Sequence, residues 1–113
     1  MPVDYEHHMV LRWIVGTGYL RFEHAALVRR VLVQSLAYDY PRYIRFEGIA
    51  TMDAQFVAHS IGAIFWYRKG THPLKLFTCL GLNTVTQPQL DAGIAIAFSE
   101  IGNLVREMKG ENV

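Results

Sequence analysis

Five histidines, one cysteine and a threonine two residues before an aspartate are the side chains with which this chain of 113 residues could do chemistry. His7-His8, with Asp4 and Glu6 close by, offers nitrogen and oxygen donors to a metal ion. Adjacent histidines on a polar chain end are not preorganised, and the helical His-Glu-x-x-His spacing of zinc hydrolases is absent, so no metal site is expected. His24, His59 and His72 fall in three different elements and read as surface or edge residues. Cys79 sits in an apolar stretch with no catalytic partner motif, which is the setting of an inert buried thiol. An enzyme or small-ligand binder using His24, His59 or Cys79 remains an alternative, and a deep pocket lined by two of them would favour it. Gly16-Thr17-Gly18 lacks the Gly-Lys-Ser/Thr of a phosphate loop, and Gly81-Leu82-Asn83 reads as a turn. No cofactor is expected.

These groups must be held by one folded unit. The length suits a single domain over residues 1–113, and 51% hydrophobic against 19% charged residues excludes a disordered tail. A formal net charge of +1 gives no basic excess for a phosphate backbone, and the arginines are dispersed among acids, so nucleic acid is not an expected partner. No apolar run approaches the roughly 18 residues of a membrane span, and the first ten residues do not read as a signal peptide. With one cysteine, no internal disulfide can form. The expectation is a soluble cytoplasmic domain without membrane insertion.

The chain alternates between two periodicities. Met9–Val15 is a short apolar run that reads as a strand buried on both faces, and Tyr19-Leu20 follows a glycine turn as a very short second strand. Over Phe22–Tyr38, Ala25, Val28, Val31, Leu32 and Leu36 recur at helical spacing; this helix has no obvious N-cap, since Arg21 is a poor one. Pro41 ends it, and Tyr43–Phe46 reads as a strand. Asp53 is a good N-cap for a helix running to about Lys69. Leu74–Leu80 reads as a strand after Pro73. The tail has two readings. Leu90, Ile94, Ala97, Phe98, Ile101, Leu104, Val105 and Met108 fit one long helix, against which Gly93 and Gly102 count mildly. Alternatively, a helix at Val85–Asp91 precedes a strand at Ile94–Phe98 and a helix capped by Ser99. Either way, strands alternating with helices predict an α/β layered domain.

Three blocks carry a resemblance. Gly18-x-Leu20 leading into Ala25, Val28-Arg29 and Leu32 is the first. Phe46-Glu47-Gly48-Ile49-Ala50-Thr51-Met52-Asp53 is the second, and Val85 with Gly93-Ile94 is the third. In this order they resemble the STAS domain of bacterial anti-sigma-factor antagonists, from about Met9 to Met108. The resemblance implies a mixed β-sheet flanked by about four helices and favours helix–strand–helix for the tail. It also implies function at the Asp53 turn and on the helix that follows.

The departures matter as much. In the antagonists the aspartate is followed by a phosphorylatable serine and then a glycine two residues further on. Here the run is Asp53-Ala54-Gln55-Phe56, as in a divergent STAS-like group. Ala54 has no hydroxyl, so the usual phosphorylation switch is expected to be missing. Thr51 is a substitute acceptor to be weighed against a threonine that merely bonds turn backbone.

At 100° per residue, Val57, Ile61, Ile64 and Phe65 share one face of the helix after Asp53. Phe56, His59, Ala63 and Trp66 or Tyr67 share the opposite face. A helix apolar on two sides either is covered twice or offers one side to a partner. The expectation is a protein-binding face of Asp53, Gln55, Phe56, His59, Trp66 and Tyr67; the competing reading is that the C-terminal helix covers it. The predicted function is a non-catalytic regulatory interaction module. By resemblance its partner is an anti-sigma factor or an ATPase, and a homodimer is compatible. A fixed subunit of a lipid-transport ATPase and a phage or mobile-element inhibitor are the alternatives in the same class.

Overall fold

The computed structural model describes residues 8–38, 43–64 and 73–101. Their elements, in chain order, are β1 (His8–Val10), α1 (Leu11–Val15), β2 (Tyr19–Leu20), a 3-10 turn (Phe22–His24), α2 (Ala25–Tyr38), β3 (Tyr43–Arg45), β4 (Thr51–Met52), α3 (Ala54–His59), α4 (Pro73–Leu76), β5 (Thr78–Leu80) and α5 (Thr86–Ile96). A π-helical turn (Ala97–Ile101) continues α5. The α/β class is as the alternation predicts. The strands form two parallel sheets: a three-stranded one in the order β1-β3-β5 and a two-stranded one of β2 and β4. Among the described residues no helix is long and apolar enough to cross a membrane.

The first apolar run is not one strand. Only His8–Val10 pairs, with His8 opposite Tyr43 and Val10 opposite Arg45. From Leu11 the chain turns helical, because Leu11 is buried and Ile14 and Val15 also pack on the core at i+3 and i+4. A short, mostly apolar run cannot separate the two states by period. Gly16 closes α1 at φ +84°, its N–H donating to the Arg12 carbonyl at 3.0 Å, a conformation that costs glycine nothing.

Helix α2 follows its predicted stripe: Ala25, Val28 and Leu32 are buried, and Val31 and Leu36 pack against the same core. The missing N-cap is supplied from inside the turn. The Arg21 backbone N–H donates to Nδ1 of His24 at 3.0 Å, satisfying one of the donors a helix start leaves open.

Three other expectations are corrected. The helix after Asp53 does not run unbroken to Lys69; α3 ends at His59, and Ser60 leaves the helical region at φ −117°, ψ −85°. The Ser60 hydroxyl donates back to the Phe56 carbonyl at 2.6 Å, and the Gly62 N–H reaches the Val57 carbonyl at 2.8 Å. Residues 65–69 lie outside the described residues. Leu74–Leu80 is also not one strand: Pro73 opens α4, with its carbonyl accepting from Phe77 N–H at 3.0 Å, and only Thr78–Leu80 pairs, alongside β3. Proline at a helix's first position forfeits nothing, since that N–H is unpaired anyway.

The tail is helical through Ile94–Phe98, so no strand forms there, and Ser99 lies inside the π-helical turn, its hydroxyl donating to the Ile96 carbonyl at 3.3 Å. Residues 102–108 of the predicted tail lie outside the described residues. The turn into α5 is built by Asn83, whose Oδ1 accepts from the backbone N–H of Val85 and Thr86, both at 2.8 Å. Thr86 Oγ1 accepts in return from Asn83 N–H at 2.9 Å. This is a reciprocal cap in which Asn83 fills the role of the usual N-cap residue.

Candidate functional site

The Gly18-x-Leu20 and Thr51-Met52-Asp53 blocks are one physical unit. Tyr19 lies opposite Thr51 and Leu20 opposite Met52 in parallel register. The Gly18 carbonyl accepts from Ala50 N–H at 2.8 Å, and the Leu20 carbonyl from Asp53 N–H at 2.8 Å. A side chain at Gly18 would run into the Gly48 carbonyl, so glycine is what lets the two strands approach. Beyond the last pair both chains turn outward: Arg21 leads into the Phe22–His24 turn, and Asp53 into α3. Asp53 caps as predicted, its Oδ1 accepting from Gln55 N–H at 2.9 Å.

Between these loops lies a solvent-facing patch. Asp53 is exposed, and Gln55 and His59 are half-buried. Phe22 is 54% exposed, and its ring meets the His59 imidazole edge-on with centroids 5.1 Å apart, a favoured geometry for ring pairs. The His59 carbonyl accepts from an Arg29 guanidinium N–H at 3.0 Å, which ties the end of α3 to α2.

Phe56 does not belong to this patch. It is 0% exposed and part of the hydrophobic core. The helix is covered on both sides, with α5 on the face of Ala54 and Val57, where a side chain on Gly93 would meet them. Helix α3 packs on α5 on one side and on the Phe22–His24 turn and α2 on another. Phe56, Val57 and Ala58 are therefore all buried in succession, and Ala63 with them. Trp66 and Tyr67 lie outside the described residues.

Thr51 is half-buried, and its hydroxyl oxygen accepts from Gln89 Nε2 at 2.8 Å, while Gln89 Oε1 accepts from Met52 N–H at 2.7 Å. The glutamine amide thus clamps β4 from α5, bonding the Met52 backbone and the Thr51 hydroxyl. A phosphoryl group on Thr51 would displace it.

The residues of the enzyme alternative are dispersed. Cys79 stands in β5 opposite Ile44, in the other sheet from the Phe22–His59 patch. Burial pushes its thiol from 9.0 up to about 12. The thiol is then protonated at neutral pH and is a poor nucleophile. Because the unfolded thiol ionises first, the stability linked to Cys79 is complete below pH 9.0 and is lost as pH rises from there towards 12. Iodoacetamide at pH 8 should therefore label the folded chain far more slowly than the urea-unfolded chain. The Cys79→Ala variant should lose less stability than the parent across that alkaline window. Equal labelling rates would show that the thiol is not held as described. His24 is committed to its cap, with Nε2 3.9 Å from a Glu23 carboxylate oxygen.

Among the described residues, two surface hollows lie away from the ring pair. One of about 300 Å³ is lined by Ala26, Arg29, Arg30, Val33 and Gln34 of α2. The other, of about 260 Å³, is lined by Leu74, Asp91, Ile94, Ala95 and Phe98. Neither takes in His24, His59 or Cys79.

Phe22, Arg29 and Gln89 were missed as parts of this region. Phe22 carries a weak signal, an aromatic residue at the start of a helix but off its buried stripe. Gln89 carries none, because its partners lie 37 and 38 residues away.

No family model, no curated protein and no solved structure matches the chain.

Proposed function

We propose that this chain is a non-catalytic protein-interaction module that docks through the Asp53 turn and the Phe22–His59 ring pair. The observation that carries the reading is the exposure of Phe22 beside half-buried Gln55 and His59, on loops fixed by the β2–β4 pairing. An aromatic side chain already held by a neighbour has little freedom left to lose on binding, and aromatic anchors are where interface energy concentrates. The resemblance to STAS antagonists supports the same surface, since it also directs attention to the turn before α3. On this reading the partner is a regulatory protein such as an anti-sigma factor or an ATPase. With Ala54 in place of a hydroxyl-bearing residue, the complex is governed by abundance or by another ligand.

The test is Phe22→Ala. Affinity for the protein captured from the native host should fall by about fivefold or more, equivalent to roughly 1 kcal/mol, with the melting temperature nearly unchanged. Unchanged affinity would remove this surface from consideration. A complex that survives purification in fixed stoichiometry would favour the permanent-subunit form of the same reading.

A further inference from the structure

The exposed side of α2 continues the docking surface and differs from it in charge. Arg29 joins the two, because its guanidinium is fixed on the His59 carbonyl at 3.0 Å. Ala26, Arg29, Arg30, Val33 and Gln34 lie at offsets of three, four, seven and eight along one face and enclose the hollow of about 300 Å³. Ala26 and Val33, seven residues apart, are the small apolar side chains of its lining. Arg30 and Gln34 are exposed beside them, and Arg29 is half-buried. The fourteen residues of α2 contain these two arginines and no aspartate or glutamate. The face therefore combines a shallow trough at helical spacing with two positive charges that no acidic residue of α2 offsets.

We propose that this trough receives an acidic amphipathic helix of the protein partner. The proposal rests on the docking reading for the presence of a protein partner and adds which chemistry that partner brings. Small side chains at positions 26 and 33 allow a second helix to approach closely, as ridge-into-groove packing requires. Arg29 and Arg30 then meet carboxylates flanking the partner's apolar stripe, and the bound guanidinium of Arg29 has less freedom to lose. A nucleic-acid backbone fits the trough less well, since two arginines on a chain of net charge +1 neutralise too few phosphates to hold it at physiological salt.

The probes are two synthetic fifteen-residue amphipathic helices with the same leucine stripe, one flanked by glutamates and the other by lysines. A single-stranded oligonucleotide of equal length is the third. Each is titrated into the isotopically labelled full chain and followed by backbone amide and arginine Nε–H resonances. The glutamate helix should shift Ala26, Arg29, Arg30, Val33 and Gln34, and the lysine helix should not. Arg30→Glu should weaken the glutamate helix at least about fivefold while the melting temperature stays within a few degrees, and moderate salt should weaken it further. Equal response to both helices, shifts centred elsewhere, no binding of the glutamate helix, or tighter binding of the oligonucleotide would each overturn the proposal. Failure of the docking reading shows separately, as insensitivity of natural-partner capture to Phe22→Ala. If Phe22→Ala weakens capture and Arg30→Glu does not, the docking reading stands without this extension.

Discussion

Phe56→Ala is expected to destabilise the domain by about 3–5 kcal/mol, the range for deleting a fully buried phenylalanine ring. Phe56 is 0% exposed, so no part of the ring remains in water to soften the loss. The residues beside it along α3, Val57 and Ala58, are equally enclosed, which leaves the site little room to collapse. Domains of this size hold only about 5–15 kcal/mol in total. The variant should therefore unfold at a much lower urea concentration, with its slope on denaturant unchanged. Set beside Phe22→Ala, this separates two aromatic residues that periodicity alone treats alike. One should cost stability and the other affinity. Near-parental stability for Phe56→Ala would mean that this ring is not enclosed in the core, and the wider docking face predicted from the sequence would return.

Gly93→Ala is the second large effect, and its sign runs against helix propensity. In an open helix the change would gain about 1 kcal/mol. Here the new methyl would lie 2.5 Å from Val57 Cγ1 and 2.8 Å from the Ala54 carbonyl oxygen. Both are on α3, and the carbonyl is backbone that cannot rotate away. Overpacking of this kind typically costs 1–3 kcal/mol and sometimes more. With two rigid obstacles the expected net loss is about 2 kcal/mol, a fall in melting temperature of roughly 8 °C. The contact can be isolated with Val57→Gly, since Val57 Cβ is the nearest atom to the new methyl and alanine would keep it. If the two side chains compete for one space, the double variant should be more stable than the sum of the single losses predicts. A parental or raised melting temperature for Gly93→Ala would show that α3 and α5 are not in close contact at this point.

The same glycine explains why the tail was legible only as two alternatives. Read locally, Gly93 is a helix-weakening residue and suggests a turn before a strand. In the fold it lies inside α5, because the α3 backbone occupies the place of its side chain. The local cost of about 1 kcal/mol is offset by packing that involves residues more than thirty positions earlier. Gln89 follows the same logic: a solvent-facing glutamine by pattern, it becomes the clamp on β4 only once α5 lies across Thr51 and Met52.

What the sequence determined by itself is what depends on near neighbours along the chain. The 3.6-residue stripe of α2, the Asp53 cap, the strand at Tyr43–Arg45 and the α/β class all follow from period, propensity and backbone hydrogen bonding within a few residues. Tertiary structure decided which apolar faces stay in water. A phenylalanine on a helix has the same local pattern whether another helix lies over it or a partner will. Only the packing of distant elements around α3 distinguished Phe56, enclosed in the core, from Phe22, left exposed. Burial is a property of distant segments meeting in space, and the spacing of residues along one helix does not carry it.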